Sequence, residues 1–231
     1  FLTDCNTLYV GSRKNALEHM DAAYLNGFSP FSTGCHVIIA DGLRGGDDVE
    51  VPVVGGEYVK YAKIGRALMD ADIVISLTHF KGHEQAGYGG ALKQLSIGCA
   101  SSYGKAYIHG AGEPEKIWTA DHNSFLDAMA DAASSVAEYF KDKTVFINVM
   151  KNMSVDCDCA GTAAAEPTIE DVGILASTDI LAIDQACVDL VYATPHNHDL
   201  VERIESRVGM HQLTAMRELK MGSDRYTLIE V

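Results

Sequence analysis

Short apolar runs alternate along this chain with stretches that have helical spacing. The runs at Cys35–Asp41, Ile73–Leu77 and Val145–Val149 predict three buried strands. Apolar residues at every third or fourth position predict a helix from Asn123 to Phe140, the clearest in the chain, and another over Asn15–Asn26. Strands that alternate with helices predict an α/β fold, with a mainly parallel sheet and helices on both of its faces.

The C-terminal third continues the pattern with shorter elements. Ile174–Ala176 predicts a strand and Ile180–Val191 a buried helix. The carboxylate of Asp184 falls inside this apolar helix, and a buried carboxylate needs a partner. His198–Met221 predicts a broken helical region, and Tyr226–Ile229 predicts a last short strand.

Composition narrows the class of protein. The 18 basic and 32 acidic residues give a net charge of −14, and so acidic a surface repels nucleic-acid phosphates. No apolar run is long enough to span a membrane, no signal peptide is recognisable, and the six cysteines lack a secreted disulfide spacing. We expect a cytoplasmic single domain over residues 1–231, with upstream sequence missing because the chain begins at Phe1. A local basic pocket remains compatible with the acidic surface, from Arg13, Lys14, Lys81, Lys93 and Lys105.

A glycine-rich loop follows the second predicted strand and leads into a helix near Ala91. Ligands of open parallel sheets bind beyond the carboxyl ends of the strands. Gly87, Gly89 and Gly90 let the backbone approach a ligand, and the N–H groups of the following helix attract anions. Lys93, in the first turn, predicts a negative partner. The alternative is a glycine turn needed only for packing, with a solvated lysine.

Histidines cluster around this loop. His79 and His83 flank Lys81, and His109 and His122 follow. Imidazole is a frequent ligand of transition metals and a frequent acid or base near neutral pH. We therefore expect His79, His83 and His109 to bind a metal, with His83 and Lys93 also in catalytic roles.

A second cluster follows the third predicted strand. Asp156, Cys157 and Cys159 are candidate metal ligands. In extended backbone, the two thiols would point to one side and Asp156 and Asp158 to the other. The alternative is a polar turn with one buried cysteine.

The chain resembles the domain-of-unknown-function family three-six-two along nearly its whole length. Members of that family are often fused to a ferredoxin-like iron–sulfur module, whose cysteines would follow His109. The chain has no such cysteines after His109, so we expect no iron–sulfur cluster here. The segments that carry the resemblance are Phe1–Val10, His79–His83, Gly87–Lys93, Ile97–Ser101, Cys157–Cys159 and Asp171–Asp189.

A more distant likeness is to lactate racemases that use a nickel-pincer nucleotide. His83, Lys93 and His109 have spacings similar to the racemase acid/base histidine, cofactor-bonded lysine and nickel-ligating histidine. The likeness implies those three roles here.

Together these observations predict a metal- or metallo-cofactor-dependent enzyme, of redox or isomerase type, acting on a small anionic molecule. Nickel, zinc and iron are all compatible with the ligand types. The alternatives are a non-catalytic protein that carries a metal or docks a redox protein, and a family member that has lost its activity with the iron–sulfur module. The oligomeric state stays open.

Overall fold

The computed structural model describes all 231 residues, from Phe1 to Val231. Nine strands form four small sheets, and nine α-helices surround them. The strands are β1 Leu2–Asp4, β2 Val37–Ile39, β3 Asp48–Pro52, β4 Tyr61–Gly65, β5 Val74–His79, β6 Lys81–His83, β7 Gly87–Gly89, β8 Thr144–Met150 and β9 Gly173–Ser177. The helices are α1 Ala16–Leu25, α2 Pro30–Thr33, α3 Arg66–Met69, α4 Ala91–Lys93, α5 Ser102–His109, α6 His122–Phe140, α7 Ile180–Ala193, α8 His198–Ser206 and α9 His211–Glu218.

The α/β class is confirmed, but the sheets are small and mixed. β5 pairs parallel to β8, and β1 parallel to β2, whereas the other three pairings are antiparallel. A parallel neighbour needs a long crossover, usually a helix. β8 and β9 are joined without an α-helix, so β9 returns antiparallel. The prediction of a mainly parallel sheet is wrong for this reason.

The three-stranded sheet β5–β8–β9 is covered by helices on one face. Along β5, Val74 and Ser76 are buried while Ile75 and Leu77 are exposed, and Ile174 of β9 is exposed beside them. Helices α4 and α7 contact the strands of this sheet. The alternation of strands and helices predicted helices on both faces, and this prediction is wrong for this sheet because its second face is exposed.

Helix α6 crosses the core, which is one cluster of 42 buried residues. Asp121 caps its N-terminus by accepting a hydrogen bond from the backbone N–H of Ser124 at 3.2 Å. Alanines along the helix, among them Ala128, Ala130 and Ala132, are fully buried and let neighbouring elements approach closely. The predicted helix over Asn123–Phe140 is confirmed.

The C-terminal segment departs from its prediction. Tyr226–Ile229 forms no strand, although its apolar residues suggested one. Tyr226 instead donates its hydroxyl hydrogen to Asp189 at 2.7 Å. The break predicted within the helical region His198–Met221 is present, between α8 and α9. None of the helices has the length and apolar character required to cross a membrane.

Candidate functional site

A cavity of about 160 Å³ opens beside the β6–β7 hairpin. Its wall includes residues of the N-terminal loop, the hairpin, α4 and the residues after it, helix α5 and the turn at residues 157–159. Gly82 explains how the last of these reaches the hairpin. Its N–H donates to the Ser154 carbonyl at 2.8 Å, and a side chain there would overlap the backbone of Val155. Residues far apart in sequence therefore meet at one place.

Four cationic side chains line this cavity, and all four belong to the predicted basic pocket. Lys81 lies 3.4 Å from the Asp158 carboxylate, and Lys105 donates to the Ala100 carbonyl at 2.6 Å. They line the wall together with Arg13 and Lys93. The fifth predicted member, Lys14, lies outside and pairs with Glu18 at 3.6 Å.

Lys93 differs from the lysines around it because its ammonium group has neither a hydrogen bond nor an ion pair. Burial lowers the pKa of Lys93, and the positive charge of Lys81 lowers it further, whereas Cys157 opposes the shift. An unpaired charge in a desolvated position is costly, so a ligand of opposite charge would be stabilised beside it.

The backbone N–H groups that follow the glycine turn bind a carboxylate of the protein itself, that of Asp184. Asp184 accepts hydrogen bonds from the backbone N–H groups of Ala91 at 2.8 Å and Leu92 at 3.0 Å, and from the Asn148 amide at 2.9 Å. Burial raises the pKa of Asp184 to about 6, and these hydrogen bonds oppose the shift. The expectation that the N–H groups of this helix face a ligand is therefore wrong, because Asp184 satisfies the first two.

The three candidate glycines lie in different surroundings. A side chain at Gly90 would overlap the Asp184 carboxylate. Gly87 has a φ of +79°, outside the usual range for other residues, and packs against the backbone of Gly209 away from the cavity wall. A Cβ at Gly89 would lie 3.1 Å from the Lys81 Nζ. Of the three glycines, Gly89 alone borders the lysines.

His83 lies on the cavity wall as a neutral ring. Its Nδ1 accepts from the backbone N–H groups of Gln85 at 3.2 Å and Ala86 at 3.0 Å. Burial is the main cause that lowers the pKa of His83 to about 4, and the charge of Lys93 adds to it. The proton therefore lies on Nε2, on the side of Cys157. This tautomer donates a hydrogen bond and offers no lone pair at Nε2 to a metal.

His109 has the opposite tautomer. Its Nδ1–H donates to the Lys105 carbonyl at 2.7 Å, so its Nε2 keeps a lone pair and accepts from the Tyr9 hydroxyl at 2.7 Å. Burial lowers the pKa of His109 to about 4, and its ring stacks on Phe125 at 5.1 Å between centroids. A backbone carbonyl that fixes the ring in this way is the usual support of a metal-binding histidine.

His79 lies outside the cavity wall and uses both ring nitrogens. Nδ1 lies 2.9 Å from Asp158 and Nε2 lies 2.8 Å from the Lys151 carbonyl. The hydrogen bond with Asp158 is the main cause that raises the pKa of His79. His79 therefore holds Asp158 against Lys81, an arrangement that does not favour the expected metal-ligand role. His122 is also outside the cavity, bonded to the Arg207 carbonyl at 2.8 Å.

The turn at residues 157–159 places Cys157, Asp158 and Cys159 on the wall together. The backbone turns into a 3-10 helix at Asp158, so the alternation expected for an extended segment is wrong there. Asp156 points elsewhere: it pairs with Arg203 at 3.3 Å and accepts from the Ala165 N–H at 3.0 Å. No three histidine, cysteine or acidic side chains lie together in a way that would hold a metal ion by themselves.

The N-terminal segment contributes residues that we did not assign to a site from the sequence. Tyr9 bonds His109, and burial raises the pKa of Tyr9 to about 12. Asp4 also lines the cavity, 3.5 Å from His19. Phe1–Val10 resembled the family in sequence, but nothing in its residue types indicated that it would cross the cavity.

Comparisons with known proteins agree with the family resemblance. A curated relative, the thylakoid-associated protein sll1697 of Synechocystis sp., is 25% identical over 193 residues, which cover 79% of this chain and 54% of the relative. The chain thus spans about half the length of that relative. The lactate racemase apoprotein of Thermoanaerobacterium thermosaccharolyticum superposes with a TM-score of 0.48 and 14% identity, over 82% of this chain and 40% of the racemase. The family described as Domain of unknown function (DUF362) matches residues 1–189, and the chain belongs to this family.

Proposed function

We propose that this chain is a metal- or metallo-cofactor-dependent enzyme that acts on a small anionic molecule in the cavity. The observation that carries the proposal is the Lys93 ammonium group, unpaired on a wall that it shares with Lys81, Lys105 and Arg13. In a protein of net charge −14, such a cluster creates a locally positive site that can attract an anion. An anion in the cavity would satisfy Lys93.

The size of the cavity limits the anion. About 160 Å³ accommodates a few non-hydrogen atoms, such as a short carboxylic acid, and is below the roughly 300 Å³ of a typical pocket for larger ligands. A larger cofactor would extend from the cavity through its open side. The lysines would bind the carboxylate, and Gly89 leaves the wall between Lys81 and Lys93 free of a side chain.

His83 would act as a hydrogen-bond donor. Proton abstraction needs a free lone pair, and the two backbone N–H groups on Nδ1 favour the tautomer that already has its proton on Nε2. A neutral imidazole with a lowered pKa can still polarise a carbonyl oxygen. We therefore replace the acid/base role implied by the racemase likeness with stabilisation of a developing negative charge on oxygen.

The residues fit a metal ion that is already coordinated by an organic cofactor better than they fit a bare metal ion. His109 offers one oriented lone pair, and the side chains alone do not complete a site. A bound metal would supply Lewis acidity at the substrate oxygen. His109 would hold it after the Tyr9 hydroxyl turns aside, and Lys93 is the candidate anchor of an organic cofactor. Nickel, zinc and iron stay open as identities.

The test is native mass spectrometry with elemental analysis of protein purified without a histidine tag. We expect a retained metal or adduct in the wild-type protein, and its loss in Lys93→Met and His109→Gln. Lys14→Met, which removes a lysine outside the cavity, is the matched control and should retain the ligand. Equal adduct masses and equal metal contents in all four proteins would contradict the proposal. Retention without any turnover of short 2-hydroxy or 2-oxo acids would favour a binding protein instead.

A further inference from the structure

Two thiols share the cavity wall with the lysines. The sulfur of Cys157 is buried, whereas Cys159 is exposed. The backbone N–H of Cys159 donates to the Cys157 sulfur at 3.5 Å. The 3-10 turn begins at Asp158, and the side chains of Cys157 and Cys159 on either side of that residue both line the cavity. The two thiols therefore border the same cavity from one turn, two residues apart.

The surroundings of Cys157 favour its thiolate. The Cys159 thiol is the largest cause that lowers the pKa of Cys157, followed by the His83 ring, with the charges of Lys93 and Lys81 adding to both and burial opposing them. The same coupling raises the pKa of Cys159. Burial instead raises the pKa of the other enclosed cysteines, Cys5, Cys99 and Cys187. Cys157 is thus the enclosed cysteine whose pKa is lowered, whereas the pKa values of the other three are raised.

We propose that Cys157 and Cys159 form a redox-active pair that reacts with low-molecular-weight disulfides at the mouth of the cavity, with Cys157 as the attacking thiolate. An exposed partner two residues away is suited to resolve the first product. The cations of the wall favour disulfides with carboxylate groups, since these are attracted towards Lys81 and Lys93.

The reaction balances without a further reagent. The Cys157 thiolate attacks one sulfur of the disulfide, a new S–S bond forms, and the old S–S bond breaks with its electron pair on the departing thiolate. Cys159 then gives its proton to water and attacks the Cys157 sulfur, which closes the Cys157–Cys159 disulfide and releases the second thiolate. Two electrons pass from the cysteine pair to the substrate.

The first arm of the test compares thiols within one protein. Cys35 is exposed and serves as the internal reference. In the EDTA-treated full chain at pH 6.5, we expect iodoacetamide to alkylate Cys157 at least about tenfold faster than Cys35, because the thiolate is the reacting form. Peptide mass spectrometry measures both rates. A Cys157 rate equal to or below that of Cys35 would overturn the proposal.

The second arm uses oxidised glutathione as the disulfide. We expect a Cys157–Cys159 disulfide in the wild-type protein, a glutathione adduct at Cys157 in Cys159→Ser, and neither product at this turn in Cys157→Ser. Adducts that form at Cys159 and Cys35 alike, without the internal disulfide, would contradict the assignment. Iodoacetate, which carries a negative charge, separates this proposal from the anion-binding one. If the lysines attract anions, the ratio of the iodoacetate rate to the iodoacetamide rate should be higher at Cys157 than at Cys35. Equal ratios at the two cysteines would count against anion binding and leave the redox proposal unaffected.

Discussion

Two charged groups at helix α4 have opposite surroundings. Asp184 is fully buried and receives three hydrogen bonds, two from the backbone of α4 and one from Asn148. The ammonium group of Lys93, which belongs to α4 itself, donates no hydrogen bond and faces the cavity. A charge that the protein satisfies internally supports the fold, whereas a charge left without a partner is available for a ligand. The comparison therefore distinguishes two parts of the glycine-rich loop: the backbone that binds Asp184 has a structural role, and Lys93 is the candidate functional residue.

The largest effect is expected from Asp184→Ala. The change leaves two backbone N–H groups and the Asn148 amide without their acceptor in the core. We expect the free energy of unfolding to fall by about 4 kcal/mol, the range for breaking a buried charged network. Urea denaturation measures it. A loss within the error of the extrapolation would show that Asp184 is not the structural partner of α4.

The neighbouring glycines sharpen the comparison. Gly90→Ala places a methyl group against the Asp184 carboxylate, and we expect a loss of about 3 kcal/mol from the forced rearrangement. Gly89→Ala meets the flexible ends of two lysines and should change stability by less than about 1 kcal/mol. Denaturation of both variants checks the pair. Equal losses would mean that the two sides of the turn are not distinct.

Acid should destabilise the metal-free protein through the two cavity histidines. The pKa values of His83 and His109 are about 4 when folded, against 6.5 when unfolded. A histidine whose pKa is lowered by folding contributes stability at pH values above its unfolded pKa. This contribution is lost as the pH falls from about 6.5 to 4. At pH 5 we expect each ring to account for a loss of about 2 kcal/mol relative to pH 7.5. His109→Gln should remove its share. Identical pH profiles for the variant and the wild type would contradict the lowered pKa of His109.

A small effect is expected from Lys93→Met, and its sign is opposite to that of Asp184→Ala. Methionine keeps an unbranched apolar side chain out to the Cε position and removes an ammonium group without a partner. We expect the protein to become more stable by about 1 kcal/mol. Thermal denaturation without added anions measures this. Destabilisation by a similar amount would indicate that Lys93 has a structural partner after all.

Local patterns in the sequence predicted the elements better than their assembly. Helix α6 and the strands around Ile73–Leu77 and Val145–Val149 follow directly from spacing and apolar runs. The direction of β9 could not be predicted this way, because it depends on the conformation of the 151–172 connection. The exposed face of Ile75 and Leu77 could not be distinguished from a covered one, since exposure depends on what packs there.

The candidate site was predicted in its residue types and only partly in its geometry. From the sequence, Lys81, Lys93 and Lys105 were predicted to contribute to one basic pocket, and all three line the cavity. The tautomers of His83 and His109 depend on backbone groups that no spacing rule identifies. The contact of Tyr9 with His109 joins residues 100 positions apart. Such long-range contacts are decided by the packing of the whole chain.

The most direct test of the central claim is calorimetric titration with pyruvate, using neutral pyruvamide as the matched ligand. Wild-type protein should bind pyruvate saturably and pyruvamide at least about tenfold more weakly, a difference of about 1.4 kcal/mol. Lys93→Met should lose the preference while it stays folded, and Lys14→Met should keep it. Pyruvate binding that is unchanged in Lys93→Met, or no discrimination between the two ligands in the wild type, would contradict the claim that the unpaired ammonium group is reserved for an anion.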